Sequence, residues 1–364
     1  MVEAARIFNF SSGPGTLPTE VLEIAREQML SFAGSGMSVI EMSHRSEVFQ
    51  GVLEKAENGI RDLLQLPDDF KVLFLQGGAT LQFSMVPMNF LPKNKTADYL
   101  VTGAWGEKAV GDAKKFGNIN VVFDGKKNEY KNVPRREEIE LSTDAAYVHY
   151  TSNETIDGVE FKYDLSGFCV PVVCDASSNI LSKPIDIDRY DLIYAGAQKN
   201  IGPSGVTVVI IRDSLLERIP DGLPRMLDYR EYATHDSMPN TPNTWGIYLI
   251  GLVCDWLKTH SGVDGIAKVN AEKAAILYDA IDSSDGFYKG HAARDCRSLM
   301  NVTFRLPNDE LDKLFCAKAE KNAMSGLRGH RSVGGVRASI YNAFPKEGVE
   351  HLVEFMSDFA SKNR

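Results

Sequence analysis

Apolar residues recur at helical spacing twice near the start of the chain. Val21, Leu22, Ala25, Met29 and Leu30 fall on one face after Pro18-Thr19, and Val48, Val52, Leu53, Ala56, Ile60 and Leu64 form a second stripe. The pattern then shortens. Val72-Leu73-Phe74-Leu75 is a continuous apolar run that stops at Gly77-Gly78 and gives way to a helical stretch from Leu81. Tyr99-Leu100-Val101 reads as a strand and 107–116 as a helix, and further apolar runs follow at 120–123, 146–150, 170–174, 192–195 and 206–211. Apolar runs separated by helices are the mark of parallel strands buried on both faces, linked by right-handed crossovers. The expected class is therefore α/β. After about residue 260 the pattern predicts a helix over 266–281, a strand over 299–306, a helix over 311–321, a strand over 336–341 and a last helix over 349–360. That is an α+β unit of roughly 100 residues, enough for a second domain.

Composition narrows the classes of function. The 364 residues fit two domains at roughly 100–200 residues each. A formal net charge of −9 supplies no overall basic field for nucleic acid or an anionic membrane, so neither is expected as a partner. An anionic metabolite would have to be held by local Arg, His and backbone N–H groups. The five cysteines are odd in number and show no C-x-x-C pair, which argues against a disulfide framework or a zinc knuckle, and no metal site is expected. No apolar run reaches the 18 or so residues that would cross a bilayer, and Met1 to Arg6 carries an acid with no apolar signal core. A cytoplasmic location is expected.

Several short segments could carry chemistry. Gln76-Gly77-Gly78-Ala79-Thr80 follows a predicted strand and opens a predicted helix, so its glycines and free N–H groups could cradle a phosphate. An ordinary strand-to-helix turn reads it equally well. Asp175 stands at the carboxyl end of an apolar run, where open α/β sheets bind ligands, although an acid there also suits a helix cap. Lys199 lies in Ala195-Gly196-Ala197-Gln198-Lys199-Asn200-Ile201-Gly202, with little bulk around its ammonium. Such surroundings desolvate an amine and lower its pKa, as covalent chemistry with an aldehyde requires. His330, Arg331 and Arg337 sit within a glycine-rich turn, and Ser43-His44-Arg45-Ser46 lies between the two early helices. Each cluster reads as a solvated basic loop or as a carboxylate or phosphate contact. Taken together, a phosphate cradle, a strand-end Asp, a loop Lys and arginine clusters are the parts that pyridoxal 5′-phosphate (PLP) catalysis needs.

Those residues also carry a resemblance. The chain resembles the phosphoserine aminotransferases, fold-type-I PLP enzymes of the class-V aminotransferase group. The similarity runs almost end to end. It includes Asn9-Phe10-Ser11-Ser12-Gly13-Pro14, Gly77-Gly78-Ala79-Thr80, Gly103-Ala104-Trp105, Asn153-Glu154-Thr155-Ile156-Asp157-Gly158, the segment from 194 to 205, Asn240-Thr241-Pro242 and the segment from 329 to 343.

The resemblance implies a mainly parallel seven-stranded sheet flanked by helices, in a large PLP-binding domain over 16–260. A smaller α+β domain over 261–364 follows, joined to the first by the segment 1–15. It implies that Lys199 binds the cofactor, that Asp175 pairs with its ring nitrogen and that Trp105 stacks on its ring. Ala79, Thr80 and Gln198 would hold the phosphate and Thr155 the phenolic oxygen. Asn240 and Thr241 would reach the cofactor phosphate of a second subunit, making the protein a homodimer with sites at the interface. Ser12, Arg45 and Arg337 would contact substrate carboxylates, and His44, His330 and Arg331 would grip the substrate's phosphate or distal carboxylate. Two departures stand out: Ala79 where the family commonly has a third glycine, and Asn243 where a second proline often follows. Neither removes a side chain the chemistry needs, but they loosen the reading of fine substrate preference.

The implied reaction is reversible. It converts L-glutamate and 3-phosphohydroxypyruvate to 2-oxoglutarate and O-phospho-L-serine, a step of L-serine biosynthesis. The alternatives are an aminotransferase for another keto acid and a PLP lyase or desulfurase on the same fold. A catalytically silent binding protein is disfavoured by the complete set of Lys199, Asp175, Trp105 and Thr155, and a nucleic-acid-binding protein by the negative charge and the missing motifs.

Overall fold

The computed structural model describes residues 6–364. The first five residues of the expected joining segment 1–15 lie outside the described part. A seven-stranded sheet runs in the order Phe70–Leu75, Thr207–Arg212, Leu192–Gly196, Val172–Asp175, Ala145–Thr151, Thr96–Val101, Asn118–Asp124. Alternation within each strand feeds two apolar layers. Val72, Phe74, Ile193 and Val208 face the helices Glu47–Leu64 and Thr244–Thr259, while Leu73, Leu75, Leu192 and Val209 face Gly78–Phe90 and Ala104–Ala113. The sheet is thus buried on both sides, as its unbroken apolar runs require.

The sheet is mainly parallel, as expected, and one strand is the exception. Thr207–Arg212 is antiparallel to both of its neighbours, whereas the other pairs are parallel. The cause is the length of the connection. Leu192–Gly196 is joined to it by residues 197–206 with no helix between them, and a parallel return needs a crossover of about a dozen residues or more. The segment that carries Lys199 is therefore the loop of a hairpin.

One helix is shorter than expected, and another was not expected. The first helix is only Thr19–Glu27. Met29 and Leu30 lie beyond its end, Leu30 is 85% exposed, and of the predicted stripe only Val21 and Ala25 are buried. The helix Thr244–Thr259 was not signalled by periodicity at all. It is buried on nearly every side, from Ile247 through Cys254 to Leu257, so no polar face remains to mark the period.

The later part of the chain forms a three-stranded antiparallel sheet of Lys289–Gly290, Asn301–Arg305 and Val336–Ser339. Its apolar cluster takes Leu277 and Ile281 from helix Gly262–Asp282, Phe315 from Asp309–Lys321 and Leu352 and Met356 from Lys346–Asn363. The last predicted strand is shorter than expected and ends at Ser339, because the carbonyls of Ile340 and Tyr341 are taken by Lys273 Nζ. The start of the chain belongs here too. Phe8–Asn9 pairs in parallel with Met324–Ser325, and Phe10 is fully buried in the same cluster. Beyond it the chain crosses to the edge of the large sheet. Among the described residues no helix is long and apolar enough to cross a membrane.

Candidate active site

The carboxyl ends of the parallel strands share one edge, and that edge gathers the candidate residues. Asp175 ends Val172–Asp175, and Lys199 comes three residues after the end of the adjacent Leu192–Gly196. Asp175 is buried and takes two hydrogen bonds on Oδ1, from the Ser177 amide at 2.9 Å and the Ser177 hydroxyl at 2.6 Å. Oδ2 is left as the oxygen for a further partner. Burial raises the carboxyl pKa, and the Lys199 ammonium and the Ser177 bonds oppose it.

Lys199 Nζ donates to Thr155 Oγ1 at 2.6 Å and lies 5.2 Å from the centre of the Trp105 ring. Desolvation brings its pKa down to about 8, with Arg337 and Lys108 adding to the fall and Asp175 and Glu154 resisting it. The amine is thus far easier to deprotonate than an ordinary lysine.

The glycine turn takes the form a phosphate cradle needs. Gly77 and Gly78 have φ of 89° and 67°, and Gly77 caps the helix Gly78–Phe90. A Cβ at Gly77 would also fall 2.5 Å from the Leu81 side chain. The first-turn amides, including those of Ala79 and Thr80, lack partners within the helix and present a partial positive charge. Gln198 folds back over Gly196, where a Cβ would meet its Oε1 at 2.6 Å.

Arg337 comes from the three-stranded sheet and reaches across to this edge. Its Nη2 donates to Ser12 Oγ at 2.7 Å and its Nη1 to the Thr155 carbonyl at 3.4 Å. Among the described residues the Nε of this buried guanidinium has no partner, and neither does the buried indole Nε1 of Trp105. A buried, incompletely bonded guanidinium is costly unless an anion completes it, as a carboxylate would.

The remaining candidates lie around this cluster, and the hydrogen bonds shown for them are made with other residues. His330 bonds Ser332 Oγ through Nδ1 at 2.6 Å, in a loop closed by Gly329 N to Gly335 O at 2.9 Å. Its pKa is lowered by burial, then by the nearby Arg337, Lys108 and Arg331. The loop also borders a cavity of about 330 Å³ lined by Arg305, Arg328 and Arg331. The contacts of His44 and Arg45 are local: His44 O accepts from Gln50 and Arg45 N donates to Ser43 Oγ. Asn240 and Thr241 are exposed and lie against Gln76, whose Nε2 donates to the Thr241 carbonyl at 3.1 Å.

Within 7–352 the chain matches the class-V aminotransferase family. The chain belongs to that family. Class-V aminotransferases use PLP, and the residues of this class-V chain fit the cofactor. An amine of lowered pKa, a buried carboxylate with one oxygen left over, an aromatic face and a strained glycine turn all border one sheet edge.

The curated relatives include phosphoserine aminotransferases of Geobacillus kaustophilus and Acinetobacter baumannii. The first is 52% identical and covers 97% of this chain and 98% of its own length; the second is 53% identical and covers 98% and 99%. Among solved structures, phosphoserine aminotransferase from Bacillus circulans subsp. alkalophilus superposes with a TM-score of 0.98. It is 47% identical and covers 99% of this chain and all of its own. PLP-bound phosphoserine aminotransferase from Trichomonas vaginalis gives 0.93 at 40% identity, over 97% of this chain and 100% of its own.

Three residues of this class-V site escaped sequence reasoning. Glu154 and Asp157 are buried against the amino end of helix Ala104–Ala113. Glu154 accepts from the amides of Trp105 at 3.0 Å and Gly106 at 2.8 Å, and Asp157 from Ala104 at 3.1 Å. They fit only because residue 103 is glycine, since a Cβ there would lie 2.4 Å from the Glu154 carboxyl carbon. Lys108 Nζ sits 3.9 Å over the Trp105 ring, one helical turn after the tryptophan. The spacing of Trp105 and Lys108, i and i+3 on one helix, is the signal that could have found it. A nucleophilic cysteine is not part of this site: Cys316 is buried within helix Asp309–Lys321, and burial raises its pKa to about 11.

The lowered pKa of Lys199 gives a direct expectation. Only the neutral amine attacks an aldehyde. Loading of the apoprotein with PLP, followed by its visible absorbance, should speed up about tenfold per pH unit and level off near pH 8, where an ordinary lysine would keep rising to about 10.4. A profile still climbing above pH 9 to 10 would show that the site does not desolvate this amine.

Proposed function

We propose that this chain transfers the amino group of L-glutamate to 3-phosphohydroxypyruvate, giving 2-oxoglutarate and O-phospho-L-serine in a reversible reaction. The observation that carries the reading is the position of Lys199 Nζ, between Thr155 Oγ1 and the Trp105 ring and beside Asp175 and Arg337. The names of relatives slightly more than half identical along almost the whole chain support the choice of substrates.

PLP, when bound, supplies an aldehyde that captures the amino group and a ring that withdraws electrons from the neighbouring carbon. Lys199 would hold the cofactor at rest and, once displaced, use Nζ to remove the proton from the substrate's α-carbon and return it on the other side of the transfer. Asp175 would keep a proton on the cofactor's ring nitrogen. Thr155 would hold the phenolic oxygen, Trp105 the ring face, and Ala79, Thr80 and Gln198 the phosphate. Arg337 with Ser12 takes the α-carboxylate common to both substrates. His330 and Arg331, with His44 and Arg45, take the second anion, which is a carboxylate on one substrate and a phosphate on the other. The two substrates use one pocket in turn, so the kinetics are ping-pong.

The same reading includes a homodimer. Asn240 and Thr241 are exposed, as expected of side chains that complete a neighbour's site. Among the described residues, eight of the eleven exposed large apolar side chains fall between Ile7 and Val48. That concentration around His44 and Arg45 suits a surface covered by a second copy. We also take the chain as two domains, 16–260 and 261–364, joined by its first segment, and as cytoplasmic. Five cysteines without a disulfide among them suit a reducing compartment.

Two measurements test the substrates. The purified protein should be yellow, and the band should bleach on adding glutamate or phosphoserine. Arg331→Ala should lower kcat/KM for phosphohydroxypyruvate by about 10- to 100-fold, the worth of a charge-assisted hydrogen bond, while pyruvate loses little. Equal losses for both keto acids would remove the case for phosphate recognition at Arg331.

A further inference from the structure

We propose that Lys273, far from the reacting atoms in sequence and role, is a positioning residue whose buried ammonium acts as a tethered cation, holding the turn 340–344 and through it the placement of Arg337 relative to Lys199. The inference rests on the aminotransferase reading for its kinetic test, though not for its thermal one.

Lys273 lies in the middle of helix Gly262–Asp282 and is completely buried. Among the described residues it makes no ion pair. Its Nζ points instead into a ring of backbone carbonyls, those of Tyr341 at 2.7 Å, Phe344 at 3.0 Å, Ile340 at 3.1 Å and Asn342 at 3.4 Å. Four converging carbonyls without a carboxylate are the ligand set of a small cation. A buried ammonium is costly: desolvation draws its pKa down to about 7, and the carbonyls that accept from it favour the charged form against that fall. A methionine or leucine would fill the same helix position without that cost. The charge is therefore explained by the carbonyls it gathers.

What the turn touches gives the charge a function. The turn begins directly after Val336–Ser339, the strand that carries Arg337. The Asn342 amide donates to Asn200 Oδ1 at 2.9 Å, next in sequence to Lys199. The Tyr341 hydroxyl donates to the Ser12 carbonyl at 2.7 Å, beside the hydroxyl that Arg337 bonds. Gly15 is pressed between the two sides, since a Cβ there would lie 2.7 Å from the Lys199 carbonyl and 2.8 Å from the Tyr341 ring. The carboxylate-binding arginine and the cofactor lysine come from different sheets, and this turn is a place where their backbones are tied together. Without the ammonium its four carbonyls would repel one another and the tie would loosen. A displacement of about 1 Å at such a point costs on the order of 100-fold in rate.

The test uses the holoenzyme. Lys273→Ala should lower kcat/KM for glutamate by about 100-fold, mostly through KM, since Lys199 and Asp175 remain. Ammonium or methylammonium chloride at about 0.1 M should restore at least about tenfold of that loss and raise the melting temperature of the variant. Tetramethylammonium chloride, with no N–H and too large for the ring of carbonyls, should do neither. Lys273→Met, of similar length but uncharged, should show the raised KM and no rescue. The inference is wrong if Lys273→Met keeps the wild-type KM for glutamate, or if small cations change neither rate nor melting in Lys273→Ala. Folding of Lys273→Ala only in ammonium or methylammonium would support it, and failure to fold in every salt would count against it. Wild-type enzyme inactive with glutamate would be a failure of the proposed function, and the melting comparison would still decide the role of the cation.

Discussion

Lys199→Ala should yield a folded protein without the absorbance band of a cofactor joined to lysine and with transamination reduced by more than about 10⁴-fold. Two losses combine. The amine is the group placed to hold the cofactor covalently, and it is also the base and acid at the substrate's α-carbon, a role worth about 10²–10⁴-fold by itself. Little stability should be lost, because among the described residues the side chain makes a single hydrogen bond, to Thr155, and removing a desolvated ammonium relieves a cost. The decisive measurement is a spectrum beside a single-turnover assay with glutamate. A Lys199→Ala protein in which borohydride still fixes the cofactor to the chain, or one that turns over at the wild-type rate, would place the cofactor on another residue.

Asp175→Asn should leave the shape of the site unchanged and still lower kcat by about 10²–10³-fold, the usual effect of removing a preorganised charge at a reacting group. The amide can accept from Ser177 as the carboxylate does, so folding and cofactor binding change less than rate. It cannot keep a proton on a pyridine nitrogen. A cofactor methylated at that nitrogen carries a permanent positive charge, and reconstitution with it should recover part of the rate of Asp175→Asn. If Asp175→Asn retains full kcat, the carboxylate is a turn residue bonded to Ser177 and nothing more.

Much of this arrangement was legible in the sequence because it is local. Asp175 stands at the end of an apolar run and Lys199 in a small-residue loop between two such runs, and the strand ends bring them to one edge. Gly77-Gly78 is read from a change of period at one point in the chain. Whatever depends on distant partners was hidden. Glu154 and Asp157 belong to a segment that carries the resemblance, but only the tertiary fold shows them against the amides of Ala104, Trp105 and Gly106. Lys273 reads as one charged position among many on a long helix, and its burial depends on a turn some 70 residues later. The buried helix Thr244–Thr259 lacks the polar face that periodicity needs, and Leu30, apolar and in phase with the first helix, lies outside it in solvent. The antiparallel strand was readable in principle, since the segment 197–206 is too short for a crossover.

The opening stretch of the chain is sewn into both halves of the pocket. Phe8–Asn9 pairs with Met324–Ser325, Phe10 is fully enclosed, Ser12 meets Arg337, and the Gly15 amide donates to the Gln198 carbonyl at 2.7 Å. A version trimmed to begin at the helix Thr19–Glu27 would therefore lose part of its binding wall along with a tail. Handles for purification or immobilisation belong at the far terminus, where Arg364 is exposed at the end of the last helix.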